Sequence, residues 1–324
     1  MRFRVLFIPL GLLLLIHAQA IDAYAQTGKS DIPTGTTDAG VKKSTGPAAK
    51  ERVELVGSTM IGNAEVKFID ASGKVTKTLK SRRKSVNKQG DKWLVESERI
   101  QDVHTDAGLV LLNTSKYLSL HDPEKGPRER DSAYPGEYWD EEVEVLNAKG
   151  DVLARKQFRT WPGEDLMTTS YWKNEFSRDG SHYYVYYRDE QGGGNIEIYD
   201  VSGKMLAHGR AEREIEKIEI APDGSLTAGY TYNQEDGIKL ILLVGVKSRQ
   251  SKLLKAGGEI NGDPWGASFI FFNPHPKIPK EKIWIGVKVH SESADTKSSE
   301  WEGYLSFEEA PSDLSILLGR GGRK

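Results

Sequence analysis

The 324-residue chain contains no cysteine. Disulfides, thiolate metal sites, a cysteine nucleophile and a lipid-modified N-terminal cysteine are therefore excluded, and the core alone must hold the fold. His104, His121, His182, His208, His275 and His290 stand singly. None pairs at i, i+3 or i, i+4, the spacing by which one helix delivers two zinc ligands, so neither a metal nor any other cofactor is expected. A Gly-x-Ser-x-Gly elbow is also missing, which removes support for an α/β-hydrolase nucleophile. Gly28-Lys29-Ser30 ends like a phosphate-binding loop, but Ala23 stands where that loop needs glycine. The acids and glycines between Asp189 and Asn195 lack the alternating order of a calcium loop and read as a hairpin connection.

What is present begins with an address. Arg2 and Arg4 precede an apolar run over residues 5–16, and Ala23-Tyr24-Ala25 stands before Gln26. These are the three zones of a secretory signal, cleaved between Ala25 and Gln26, with Ala18-Gln19-Ala20 as a second possible site. Twelve apolar residues make about 18 Å of helix, short of the roughly 30 Å hydrocarbon core. The mature chain, with no transmembrane segment, is expected to be periplasmic or secreted. Residues 26–50 are rich in Gly, Thr, Ser, Ala and Lys without an aromatic residue, and read as a flexible spacer. Removing Arg2, Arg4 and Asp22 takes the net charge from −2 to −3, which gives no reason to expect nucleic acid as a partner.

Residues 51–310 carry an internal repeat, followed by a C-terminal tail at 311–324. Val66, Val143, Ile196 and Ile238 each sit seven positions before a glycine, namely Gly73, Gly150, Gly203 and Gly245. Asp70, Asn147 and Asp200 precede their glycines by three, which suits a tight turn: the short side chain binds the local backbone and glycine takes a positive φ. A second marker is Asp179-Gly180, Asp223-Gly224 and, more loosely, Asp106-Ala107-Gly108, each followed by a strand-like run at 182–187, 226–232 and 109–112. Asp179 to Asp223 is 44 residues and Gly203 to Gly245 is 42, so two markers give nearly one period. Residues 122–140 read as an inserted loop, and residues 81–89, rich in Lys, Arg and Ser, as another. Asn273-Pro274-His275-Pro276 takes the Asp-Gly place in a last unit whose strand is 283–289. The units run over about 51–90, 91–160, 168–212, 213–257 and 262–308.

With turns such as Pro222-Asp223-Gly224 at this period, the chain resembles the β-propeller superfamily, in particular bacterial periplasmic propellers with repeated turns of this kind. The resemblance implies an all-β fold, a β-propeller of about five four-stranded blades. A β-sandwich or β-meander is the alternative reading of the same alternation. Trp139-Asp140 is a Trp-Asp dipeptide, but it falls in the inserted loop, which departs from the WD-repeat pattern. The resemblance also implies that residues 52–56 close the ring by pairing with the last blade.

Candidate chemistry is sparse. The adjacent acids Glu141-Glu142, Glu164-Asp165 and Asp189-Glu190 are the listable carboxylates of a carbohydrate-acting hydrolase, whose acids must converge from different strands about 5–10 Å apart. No catalytic residue is expected among them, because adjacent acids in a chain that is 28% charged are ordinarily solvated. Tyr134, Tyr138, Trp139, Trp161 and Trp172 are the candidate binding residues: large rigid rings near loop ends gain contact area at little entropic cost. The competing reading packs Trp161 and Trp172 between blades. Tyr183, Tyr184, Tyr186 and Tyr187 place aromatics on both faces of one strand and predict burial between sheets. Leu314 opens an apolar stretch expected to cap the last blade. The function expected is an exported cell-envelope interaction module binding a partner protein or glycan. An extracellular carbohydrate hydrolase and a structural assembly protein using the 122–140 loop are the alternatives.

Overall fold

The computed structural model describes residues 50–59, 62–119, 139–161, 174–232, 239–255, 257–260, 263–272, 279–289 and 299–314, all in the compact unit Ala48–Lys324. Nineteen strands and no helix occur among them. The first sheet holds β1 (Arg52–Val56), β2 (Glu65–Ile69) and β3 (Val75–Lys80). The second holds β4 (Arg82–Gln89), β5 (Lys92–His104), β6 (Leu109–Ser119), β7 (Trp139–Leu146) and β8 (Val152–Thr160). The third holds β9 (His182–Arg188), β10 (Gly194–Asp200) and β11 (Met205–Arg210). The fourth holds β12 (Ile215–Ile220), β13 (Leu226–Tyr232), β14 (Lys239–Gly245) and β15 (Gln250–Lys255), and the fifth β16 (Gly257–Ile260), β17 (Asp263–Phe272), β18 (Ile283–Val289) and β19 (Ser299–Leu305). Within each sheet, every strand pairs antiparallel with its neighbour in sequence, so each sheet is a meander.

Period-two alternation gives inner sheets two apolar faces, and successive sheets pack through them. On β6, Val110 and Leu112 join Val53, Val66 and Phe68 of the first sheet, while Leu109 and Leu111 join Tyr183 and Val185 of the third. Tyr183 and Tyr184 split in the same way: Tyr184 and Tyr186 meet Leu242 and Val244 of the fourth sheet. The fourth core joins Leu226, Ile241 and Leu254 to Ile283, Ile285 and Leu305 of the fifth sheet. Each such side chain, fully withdrawn from water, contributes about 1.5–3 kcal/mol, which is how a chain without disulfides is held.

The tyrosine strand, the runs 226–232 and 283–289, and the Asp-Gly turns stand where the sequence places them. Leu314, buried in the fourth core, is tied back by hydrogen bonds between residues 312–314 and Lys255. Several expectations need correction. The sheets have three, five, three, four and four strands, rather than four each. Residues 82–89 form strand β4 instead of a loop, because Val86 packs in register opposite Val95 despite the surrounding charge. The inserted loop stops short of Trp139 and Asp140, which open β7. Gly245 ends β14, and the turn that follows is Val246–Arg249, with Arg249 at φ 54° in the place a glycine was expected. The Asp-Gly place in the last unit belongs to Pro279–Lys282, whose Lys282 N–H donates to the Pro279 carbonyl; Asn273–Pro276 lie outside the described residues. Finally, β1 pairs with β2, from Arg52 opposite Ile69 to Val56 opposite Glu65, and not with the last sheet. The cause is local: Gly57 (φ 83°) reverses the chain, and Asn63 Oδ1 accepts from Ser58 N–H at 2.8 Å, folding β1 back at once.

Candidate functional site

The two ends of the sheet stack are built differently. At one end the short turns bond to one another across sheets. His104 Nε2 meets the Arg178 carbonyl at 2.7 Å, Asp179 N–H donates to Pro222 O at 3.0 Å, and Asp223 N–H donates to Lys280 O at 3.2 Å. Those bonds link the second through fifth sheets into one base. At the opposite end lie the strand termini Ser119, Trp139, Thr160, Arg188 and Tyr232.

Of the five aromatic candidates, Trp139 and Trp161 are described. Tyr134, Tyr138 and Trp172 lie outside the described residues, as do Glu164 and Asp165. Trp139 pairs across the ladder with Thr160, so Trp161 follows immediately beside it. The Trp139 ring stacks on Tyr117 of β6 with centroids 5.4 Å apart and planes at 23°, both rings half-buried. The Trp161 N–H donates to the Arg188 carbonyl at 3.3 Å, bridging the second and third sheets.

One ladder step inward, Glu141 shares this face, because alternation along β7 puts Trp139, Glu141, Val143 and Val145 together. It is 5% exposed. Asn113 Nδ2 donates to it at 2.8 Å and the Ser115 hydroxyl donates to its other oxygen. Burial pushes its carboxyl up to about 7, against the pull of those two donors and with a further push from Asp140. Asn113 Oδ1 is buried with no hydrogen-bond partner. Beside them Phe158 packs on Tyr187, ring centroids 5.3 Å apart, and Tyr187 donates to Glu197 at 3.1 Å. Glu197 also takes the Tyr199 hydroxyl and the Lys156 ammonium, the latter at 3.2 Å. Burial, with Glu197 close by, raises both phenols above their ordinary range. The third sheet is tied to its neighbours here by Arg188, whose N–H donates to Thr160 Oγ1 at 3.0 Å and whose guanidinium pairs with Glu214 at 3.1 Å.

This arrangement offers flat aromatic area above a buried carboxyl that titrates near neutrality. It does not unite the adjacent acids. Glu142, next to Glu141, points to the other face of the sheet, where Arg155 and Gln157 hold it. Asp189 is consumed by its turn: burial favours its neutral form, but Arg210, Asn195 and the Gly193 N–H outweigh that and hold it at about 2. Among the described residues no three His, Asp or Glu side chains are grouped to hold a metal ion, and no helix is long and apolar enough to cross a membrane. Sequence reasoning listed Glu141 with Glu142 as adjacent acids, ordinarily solvated; Glu141 is buried, and the apolar alternation of β7 was the signal that it faces inward.

No family model and no curated protein matches the chain. The solved structures it is similar to include a eukaryotic initiation factor (10% identity, TM-score 0.30, covering 75% of this chain and 59% of that one). A second is the β-propeller domain of the Trilobed protease from Pyrococcus furiosus, described as having an open velcro topology (10% identity, TM-score 0.28, 74% and 73%). A third is TolB from Acinetobacter baumannii (12% identity, TM-score 0.24, 76% and 62%). The chain thus spans less than two thirds of the initiation factor and of TolB. At these scores the likeness carries no weight by itself, and the propeller-like reading stands on the succession of meander sheets packed face to face.

Proposed function

We propose that this protein is an exported cell-envelope interaction module, a propeller-like stack of sheets on a flexible spacer that presents one end to a partner protein or glycan. The observation that supports it is the asymmetry between the two ends. Turns bonded sheet to sheet make a rigid base, and the far end carries Trp139 stacked on Tyr117 beside Trp161. Rigid, half-buried rings on a fixed frame lose little entropy when they anchor a ligand. The signal at residues 1–25 supplies the address and residues 26–50 the reach.

Two measurements test the proposal. Fractionated cells should hold the protein in the periplasm or medium with Gln26 as its first residue; a cytoplasmic protein that retains Met1 removes the export reading. Full-length wild-type protein and the Trp139→Ala variant should then be compared on immobilised envelope extract and on a neutral-glycan array. The variant is expected to lose retention by about tenfold or more, in the range of aromatic hot spots. Equal retention would sink the assignment of this end as the binding end.

A further inference from the structure

Edge strands in this protein are charged, as edges that avoid pairing with other chains usually are, and on β8 and β11 the cations are matched by acids. On β8, Arg155 pairs with Glu144 at 2.5 Å, Lys156 with Glu197 at 3.2 Å and Arg159 with Asp140 at 2.9 Å. On β11, Arg210 pairs with Asp189 at 2.6 Å. The β3–β4 edge differs in its supply of acids. Residues 74–92 contain eight Lys or Arg (74, 77, 80, 82, 83, 84, 88 and 92) and a single acid, Asp91, in a chain whose net charge is −2.

The fold runs this segment along two sheet edges in succession. Only Ser81 separates β3 from β4, and it hands the chain from one sheet to the next: its N–H donates to Ala64 O in the first sheet, and its hydroxyl accepts from Ile100 N–H in the second at 3.1 Å. Val75 to Gln89 thus follows two sheet edges in succession, interrupted at Ser81 and by a bulge between Arg82 and Ser85, with about 50 Å of chain at roughly 3.3 Å per residue. Two of its cations are matched, Lys80 by Glu65 at 2.6 Å and Arg82 by Glu98 at 3.7 Å. Glu96, the next acid on β5, is taken by Lys116. Lys74, Lys88 and Lys92 are exposed; Lys74 lies by Asp70, Lys88 and Lys92 form no ion pair among the described residues, and the Lys77 ammonium rests on the Gly150 carbonyl. Lys88 lies over the half-buried Trp93 ring at 5.5 Å, a cation on an aromatic platform.

We propose that the β3–β4 ribbon is a docking strip for a linear polyanion, a carboxylate-bearing polysaccharide laid along the edge. Protecting an edge needs charge but does not need the acids to run out; a stretch with eight cations and one acid fits a partner that brings repeated negative charge. The strip lies two strands away from β6 and its Tyr117, and its β4 end, where Lys88 pairs with Trp93 and Trp93 with Ser119, reaches the same end of the sheets as Trp139. Choosing polysaccharide over nucleic acid rests on the export reading.

The test uses the full chain and labelled polygalacturonate, with neutral dextran, double-stranded DNA and vesicles containing about a quarter anionic lipid as comparators. Wild type should bind polygalacturonate and not dextran, and should weaken at least about tenfold between about 50 and 200 mM salt, as contacts to a polyelectrolyte do. Lys74→Glu/Lys77→Glu and, separately, Lys88→Glu/Lys92→Glu should each weaken binding by about fivefold or more, with the thermal midpoint kept; these side chains are exposed, so both variants are expected to fold. Trp139→Ala should bind polygalacturonate like wild type, which keeps this result distinguishable from failure of the aromatic end. Absence of binding at low salt, or binding unchanged in both charge-reversal variants, overturns the strip. Tighter binding to DNA or to the vesicles overturns the polysaccharide and points to that polymer or surface instead.

Discussion

The imidazole of His104 joins two sheets in a single tautomer: its Nδ1 accepts from the Ala107 N–H at 3.1 Å, so its Nε2, 2.7 Å from the Arg178 carbonyl, must carry the hydrogen. A carbonyl cannot donate and a backbone N–H cannot accept, which leaves the neutral Nε2–H form. Nitrogen-detected NMR should show that tautomer for His104. His104→Ala removes a hydrogen-bond partner from both backbone groups, which are exposed and can take water instead, and should cost about 0.5–1.5 kcal/mol in denaturant unfolding. A protonated or Nδ1–H ring in the spectrum would disprove the clasp.

Gly224 tests the same base from another side. Its φ of +71° alone would cost alanine about 1–2 kcal/mol, and a Cβ there would lie 2.4 Å from the Cβ of His182 on the neighbouring sheet. Gly73 has φ +86° with open space around it. Gly73→Ala should therefore show only the conformational cost, while Gly224→Ala should exceed it by more than about 1 kcal/mol, because the clash adds overpacking. Equal losses would mean that the turns do not pack against the next sheet.

Sequence periodicity was legible where one face or both were apolar. Tyr183 to Tyr187 announced burial on two sides, and the Asp70, Asn147 and Asp200 turns form with the expected side-chain bonds to the backbone. It failed where a strand earns its place from one neighbour. β4 shows little apolar alternation, since an exposed edge needs only Val86 and the ladder to β5. Arg249 in a left-handed turn left no glycine to find, so the Gly245 alignment slipped. In the candidate site, Trp139 was visible as an aromatic, but Tyr117 was not, because stacking between β6 and β7 depends on a register that only pairing fixes.

Arg188 and Glu214 form an ion pair between the third and fourth sheets, with the arginine side chain 10% exposed and the glutamate 26%. Removing only the arginine takes this cation away from the largely covered Glu214 and frees buried volume, so Arg188→Ala should cost about 3 kcal/mol. Glu214→Ala should cost as much or more, because the stranded guanidinium is the more deeply buried partner, and its Nε already lacks a hydrogen-bond partner. A double-mutant cycle should return a coupling of about 1–2 kcal/mol, measured by unfolding. Additive losses would show that the pair is incidental to joining the sheets.

Glu141 gives the sharpest dependence on pH. Its folded carboxyl titrates at about 7 because burial disfavours the charged form, whereas in the unfolded chain it returns to the usual value of about 4.3. The native state thus holds this proton more tightly than the unfolded state does. Its contribution is complete below about pH 4.3, declines as the pH rises from there, and is lost once the pH passes about 7; the total is about 4 kcal/mol. Glu141→Gln cannot ionise. Its amide keeps an acceptor for Ser115, and its N–H can donate to Asn113 Oδ1 once the Asn113 amide, whose Nδ2 now faces Glu141, turns over. Denaturant unfolding at about pH 4, 6 and 8 should find the variant equal to wild type at the lowest pH and increasingly more stable above it, with the gap levelling off beyond about pH 7. Every other titrating group is common to both proteins and cancels in the difference. A gap that stays constant over that range would mean that Glu141 titrates as an ordinary solvated carboxylate, and that the layer beneath Trp139 is open to water.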